Sequence, residues 1–147
     1  MLLLISDANI LMDIETGDLV ASMFSLGYEF AVPNVLSVSA DGVARVEVLS
    51  QNYGRPGRND LFALALAEAE SCPLLTGDSA LKAAAESEKV EVKGTIWLIS
   101  EMVREKRITV SIARASLNKM RENGRRLPWE TAKNILDELE YKISLVN

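Results

Sequence analysis

Apolar residues run without interruption from Leu2 to Ile5 and give way at Ser6-Asp7. A run of that length predicts a strand buried on both faces, Leu2 to Ser6. Beyond Asp7, Ile10, Leu11 and Ile14 recur at helical spacing until Gly17, a C-cap position. Asp18 is placed to cap a second short helix, Leu19 to Leu26, and Glu29 to Val32 predicts a strand that Pro33 ends. A helix follows from about Gly42 to Gln51, with Val43, Val46 and Leu49 toward the core. Glycines and a proline between Asn52 and Arg58 predict a loop, after which Asn59 and Asp60 open an alanine- and leucine-rich helix, Leu61 to Glu70. Leu74 to Thr76 predicts a short buried strand, Gly77-Asp78 turns into a helix over Ser79 to Glu88, and Val90 to Val92 is the fourth strand. Helices then follow over Thr95 to Glu105, Ser111 to Asn123 and Pro128 to Leu139, the last with proline at its start.

The alternation β-α-α-β-α-α-β-α-β predicts an α/β domain with a central parallel sheet of about four strands. The expectation is one domain over residues 1–147, with the helices from about residue 95 packed on it as a C-terminal extension.

Composition narrows the chemistry. With 48% hydrophobic and 25% charged residues, the chain has the balance of a soluble globular protein rather than a disordered one. Its apolar runs are far too short to span a bilayer, and no signal peptide is read, so a cytoplasmic protein is expected. Histidine is absent, which excludes a Ser-His-Asp or Cys-His machine and any His-ligated metal within this chain. The single cysteine, Cys72, excludes an intramolecular disulfide and reads as a small buried apolar residue. What remains for hydrolysis is carboxylate chemistry, with or without hard divalent cations. The net charge of −5 is not that of an obvious nucleic-acid binder, although basic residues gather locally.

In open α/β sheets, ligands bind beyond the carboxyl ends of the strands. Asp7 follows the first predicted strand, Asp78 follows the third, and Asp60 stands at a helix start. Convergent carboxylates raise one another's pKa unless a cation neutralises them, and Mg²⁺ or Mn²⁺ suits carboxylate and water ligands. Each of these aspartates also reads as a helix N-cap, a role for which Asp is among the best residues.

Four segments resemble the PIN-domain family, and within it the VapC-like toxin ribonucleases of prokaryotic toxin–antitoxin systems. Leu4 to Asp13 (LISDANILMD) resembles the opening of PIN domains, and Arg58 to Ala67 (RNDLFALALA) looks like their central helix with its metal-binding Asp. Cys72 to Leu81 (CPLLTGDSAL) looks like the third acidic motif, and Val92 to Ile99 (VKGTIWLI) is similar to the segment that follows in toxin-like members. The resemblance implies a three-layer α/β/α fold and an endoribonuclease that hydrolyses RNA with metal-activated water. It further implies a toxin restrained by an antitoxin protein and a homodimer. Carried over by position, Asp7, Asp60 and Asp78 match the acidic Mg²⁺ or Mn²⁺ site. Ser6, Asn9 and Thr76 are candidates to support it, and each also reads as local capping or turn bonding.

One departure stands against this pattern. Active members usually carry a further acid, most often Glu, in the helix after the second strand, whereas Asn34 to Ser39 contains none; the next acids are Asp41 and Glu47. The connection from Pro33 to the helix near Gly42 is short against the family pattern by roughly twenty residues or more. A natural loss, a shortened polypeptide and an unrecorded mobile loop between about Val35 and Ser39 all stay open. A catalytically impaired PIN fold that binds antitoxin or RNA is therefore the competing reading. Asp41 substitutes for the lost acid only if its helix starts earlier than Gly42.

Arg55 and Arg58, just before Asp60, are candidate RNA contacts, since guanidinium groups bind phosphates bidentately. Arg121, Arg125 and Arg126 form a second cluster, which reads first as a solvated helix end. Leu19, Val20, Met23, Phe24 and Leu26 make an apolar stripe, a core face before it is a partner groove. Trp97 and Trp129 are expected to anchor the C-terminal helices onto the sheet layer.

Overall fold

A computed structural model describes residues 3–33 and 38–146. The chain forms two compact units, one from the N-terminal residues to Ile10 together with Tyr28–Gly94, the other from Leu11–Gly27 together with Thr95 onward. The class is α/β, as the alternation predicts, with four strands and eight helices among the described residues.

The first unit holds the sheet. β1 (Leu3–Ser6), β2 (Glu29–Ala31), β3 (Leu74–Leu75) and β4 (Val92–Lys93) lie in the order β2-β1-β3-β4, all parallel. β1 pairs Leu3 with Glu29 on one side and Ile5 with Leu74 on the other. Leu4, Ile5, Leu74 and Leu75 are all buried, as central parallel strands require. Helix α4 (Arg58–Ala69) packs on β1 and β3, flanked by α3 (Ala40–Asn52) and α5 (Ser79–Ser87). Its residues Leu61 to Ala65 and Ala67 are all buried, so alanines replace bulk where neighbouring helices approach.

The second unit gathers most of α1 (Ala8–Thr16) with α2 (Val20–Phe24), α6 (Thr95–Arg104), α7 (Val110–Glu122) and α8 (Trp129–Val146). Ile14, Leu19, Met23, Leu98, Met102, Ala113, Met120 and Leu136 form its interior. Gly17 lies against α7, where a Cβ would run into the Met120 side chain. Buried Asp13 accepts hydrogen bonds from the Thr95 hydroxyl (2.7 Å) and from Arg125 Nε (2.6 Å).

Several expectations need correction. Asp18 caps nothing: it sits in the left-handed region at φ 59°, pairs with Lys119, and leaves Leu19 as the N-cap of α2. Leu19, Met23 and Leu26 are core, but Val20 and Phe24 of the same stripe are exposed. Val43 is 39% exposed, because the face that α3 turns inward carries Val46 and Leu49. α4 begins at Arg58 rather than Leu61, and β4 begins two residues and ends one residue later than its apolar run suggests. α8 runs seven residues beyond Leu139. Trp129 lies under Arg121, and Trp97 lines a groove between α6 and α8. Residues 34–37, on which most of the apparent shortfall falls, lie outside the described residues.

Candidate metal centre

In the order β2-β1-β3-β4 the chain leaves β1 toward one sheet edge and β3 toward the other, so the carboxyl ends of these neighbouring strands bound a topological switch point. Asp7 and the Thr76-Gly77-Asp78 turn stand there. The ladder continues past the strands, with the Asp7 N–H donating to the Leu75 carbonyl at 3.0 Å.

Asp7 is 8% exposed. Its Oδ1 accepts the Ile10 N–H at 3.1 Å, which caps α1, and its Oδ2 accepts the Thr76 hydroxyl at 2.5 Å. The Thr76 Oγ1 in turn accepts the Asp78 N–H at 3.1 Å. One buried hydroxyl therefore fixes the Asp7 carboxylate and the backbone of Asp78 together. Asp78 caps α5, its Oδ1 accepting the Leu81 N–H at 2.8 Å. The Ser6 hydroxyl donates to the Asp7 carbonyl at 2.8 Å and so steadies the turn out of β1. Asn9 is exposed on the first turn of α1.

Asp60 arrives from α4, where its Oδ2 accepts the Gly57 N–H at 3.1 Å. Burial pushes its carboxyl above the ordinary range, the charges of Asp78 and then Asp7 push it the same way, and the Gly57 N–H opposes them. Asp7, Thr76 and Asp78 are thus joined by direct bonds, and Asp60 is joined to them by charge. As they stand, no three acidic or cysteine side chains among the described residues are close enough to hold one ion. The donor set nonetheless fits a hard divalent cation, being carboxylate oxygen throughout, with Oδ1 of Asp60 and Oδ2 of Asp78 outside the caps.

The neighbouring charges are arranged differently from the expectation. Arg58 pairs with Glu47 at 2.6 Å and lies 5.5 Å from the Phe62 ring centre, while Arg55 is exposed in the preceding loop. α3 does start before Gly42, with Ser39 as N-cap, which puts Asp41 in its first turn. Asp41 is exposed, however, and the charges that act on Asp60 are those of Asp78 and Asp7. Arg125 turns to Asp13 and Arg121 to Trp129, so the second arginine cluster is divided.

Two groups carry weight that the sequence reading missed. Arg45 holds Glu68 through two hydrogen bonds, at 2.6 and 2.9 Å, and also pairs with Glu88, which accepts the Tyr53 hydroxyl at 2.5 Å. This ties α3, α4 and the end of α5 together. Asp13 is the other, and its signal was available: it shares a helical face with Ile10, Ile14 and Gly17.

The parallel sheet with helices between its strands defines an α/β protein, with carboxylates at the switch point. A family model described as a PIN domain matches residues 37–141, and the chain belongs to that family. PIN domains are generally nucleases, usually dependent on divalent metals, and PIN nucleases act on RNA. No curated protein and no solved structure gives a significant match. No helix among the described residues is long and apolar enough to cross a membrane.

Proposed function

We propose that this chain is a divalent-metal-dependent endoribonuclease, a single PIN-like domain over residues 1–147 that works in the cytoplasm. In this reading it is the toxin of a toxin–antitoxin pair, restrained by an antitoxin protein and assembled as a homodimer. The observation that carries the chemistry is the meeting of Asp7 and Asp78 on the Thr76 hydroxyl at the carboxyl ends of β1 and β3, with Asp60 close enough that, after burial, their charges also raise its carboxyl. Asp7, Asp60 and Asp78 would hold Mg²⁺ or Mn²⁺. Such an ion, when bound, supplies a coordinated water of lowered pKa and offsets charge on a phosphoryl oxygen.

The chain's own groups have distinct tasks. Thr76 fixes the Asp7 rotamer and the Asp78 backbone, so two ligands are set by one hydroxyl. Ser6 and Asn9 support the turn that carries Asp7. Arg55 is free to meet the RNA backbone from its loop, and Arg58 reaches it by exchanging Glu47 for a phosphate. That exchange is inexpensive, because an exposed ion pair contributes no more than about 1 kcal/mol.

A second reading has its own support. Asp7, Asp60 and Asp78 each bond a helix-start N–H, no fourth acid among the described residues joins them, and Glu47 is occupied by Arg58. That arrangement suits a catalytically impaired PIN fold that binds antitoxin or RNA. Calorimetric titration of Mn²⁺, with Asp7→Asn and Asp60→Asn as controls and cleavage of a labelled RNA as the second readout, separates the two. The nuclease reading expects binding and cleavage that both variants lose. Absence of Mn²⁺ binding to the unsubstituted chain overturns it and leaves the binding module.

A further inference from the structure

Most basic residues of the sheet-bearing unit have acidic partners or lie away from the three aspartates. Arg45 is held by Glu68 and Glu88, Arg58 by Glu47, and Lys93 by Glu91. Arg55, Lys82 and Lys89 make no ion pair or side-chain hydrogen bond among the described residues. Arg55 lies in the loop before α4, and Lys89 follows the far end of α5 in a left-handed turn. Lys82 is left to account for.

Lys82 stands near the start of α5, four residues after the N-cap Asp78. That spacing sets it roughly 6 Å along the helix from Asp78 and about 40° around it, on the same side of α5. Helical side chains lean toward the N-terminus, so its four-carbon stem runs back over the turn that Asp78 caps. Leu81, Ala84 and Ala85 carry the buried face of the helix, and Lys82 is exposed. Stability does not call for a cation here. The positive end of the helix dipole disfavours one. Glu86, one turn on, is not taken as a partner, and a lysine that precedes its glutamate is the weaker order for such a pair.

We propose that Lys82 is a substrate-binding residue, its ammonium holding an RNA phosphate next to the one at the aspartates. It does so on the α5 side, as Arg55 does on the α4 side, and the RNA backbone crosses the carboxyl ends of β1 and β3 between the two. Three carboxylates repel a polyanion, so cations flanking them must supply the attraction. A compact ammonium on a flexible stem follows a backbone phosphate and reads no base. The inference rests on the RNA substrate of the proposed function and adds a residue to it.

Binding of a fluorescein-labelled single-stranded RNA, followed by anisotropy with Ca²⁺ in place of Mn²⁺ across about 50–200 mM salt, tests it. Lys82→Met keeps the stem and removes the charge. It should weaken binding about fivefold at the low-salt end. It should also make the slope of log K against log salt shallower by about 0.7, the share of one phosphate contact on a single strand. Lys82→Arg should retain the slope, and Lys89→Met, which removes the same charge beyond the other end of α5, should change neither quantity. Mn²⁺ binding and the circular dichroism spectrum should persist in all three variants. In cleavage assays Lys82→Met should raise KM and leave kcat within about twofold. A slope unmoved by Lys82→Met overturns the inference, as does equal damage from Lys89→Met or a loss of Mn²⁺ binding on replacing Lys82. A parent chain that binds RNA through Lys82 but takes up no Mn²⁺ refutes the nuclease reading alone. A parent chain with no affinity for RNA refutes both.

Discussion

Thr76 is the hinge of the acidic centre, and its replacement by valine isolates the hydroxyl. Valine keeps the β-branch and nearly the same volume, so the 3% exposed position is filled and no cavity opens. What disappears is the donor to Asp7 Oδ2 at 2.5 Å and the acceptor for the Asp78 N–H at 3.1 Å. A hydrogen bond to a charged group contributes about 1.5–3 kcal/mol and a neutral one about 0.5–1.5 kcal/mol. Asp78 is exposed, so water recovers part of the second term. The expected loss is about 3 kcal/mol, or roughly 6–12 °C in Tm for a chain of this length. Urea denaturation monitored by circular dichroism measures it, with Thr76→Ser as the control. Serine keeps the hydroxyl and deletes one buried methyl, costing about 1 kcal/mol. Serine more damaging than valine, or a valine variant within about 0.5 kcal/mol of the parent, would refute the assignment of the hydroxyl as the tie between the two aspartates.

Three further outcomes are expected. The Tyr53 hydroxyl, and after it Arg45, hold the Glu88 carboxyl below its ordinary 4.5, so its contribution to stability is complete above that value. It is lost as pH falls through the folded-state pKa, and Glu88→Gln should flatten the acid limb of a Tm-against-pH profile, with parent and variant converging once the pH is below that folded-state pKa. Arg125→Ala should cost about 2–4 kcal/mol by urea denaturation, because it leaves the 5% exposed Asp13 with Thr95 alone, and Asp13→Asn in the same chain should recover much of the loss. Asp78→Asn should leave stability within about 0.5 kcal/mol while Asp78→Ala loses about 1 kcal/mol, since asparagine caps a helix as well as aspartate does; both should abolish Mn²⁺ binding in calorimetry.

Much of this fold is legible because its core elements are locally consistent. Leu3 to Ile5 reads as a doubly buried strand because helices and parallel neighbours leave no polar face, and Pro128 marks the start of α8 because a helix's first turn needs no N–H there. The errors have physical causes. Asn59 and Asp60 look like caps, but Gly57 takes the N-cap and Asp60, three residues on, bonds back to its N–H. Asp18 has the composition of a cap and is instead drawn into a left-handed turn and a pair with Lys119, a partner 101 residues away that no local pattern discloses. Arg45, Glu68, Glu88 and Tyr53 are each unremarkable in sequence and meet only when α3, α4 and α5 pack. The end of α8 is missed for the opposite reason. Nothing after Leu139 breaks a helix, but its apolar residues stay exposed among the described residues, so no burial pattern marks them.

The three aspartates show why the capping and metal readings do not exclude each other. A carboxylate that caps a helix binds N–H through one oxygen, and the bond fixes χ1 and χ2 as it does so. Asp60 commits Oδ2 and Asp78 commits Oδ1, and the second oxygen of each is oriented without being consumed. Asp7 commits both oxygens, but each carbonyl-type oxygen has two lone pairs, and a hydroxyl donor at 2.5 Å occupies one of them. Capping is thus the means by which the fold holds three like charges in fixed directions, at a point where burial, and after it the charges of Asp78 and Asp7, raise the Asp60 carboxyl. A structural role alone would be served as well by asparagine or serine, which cap without repulsion. That the chain uses the charged residue at all three positions, at the switch point of a parallel sheet, is what favours a cationic occupant over an accident of helix starts.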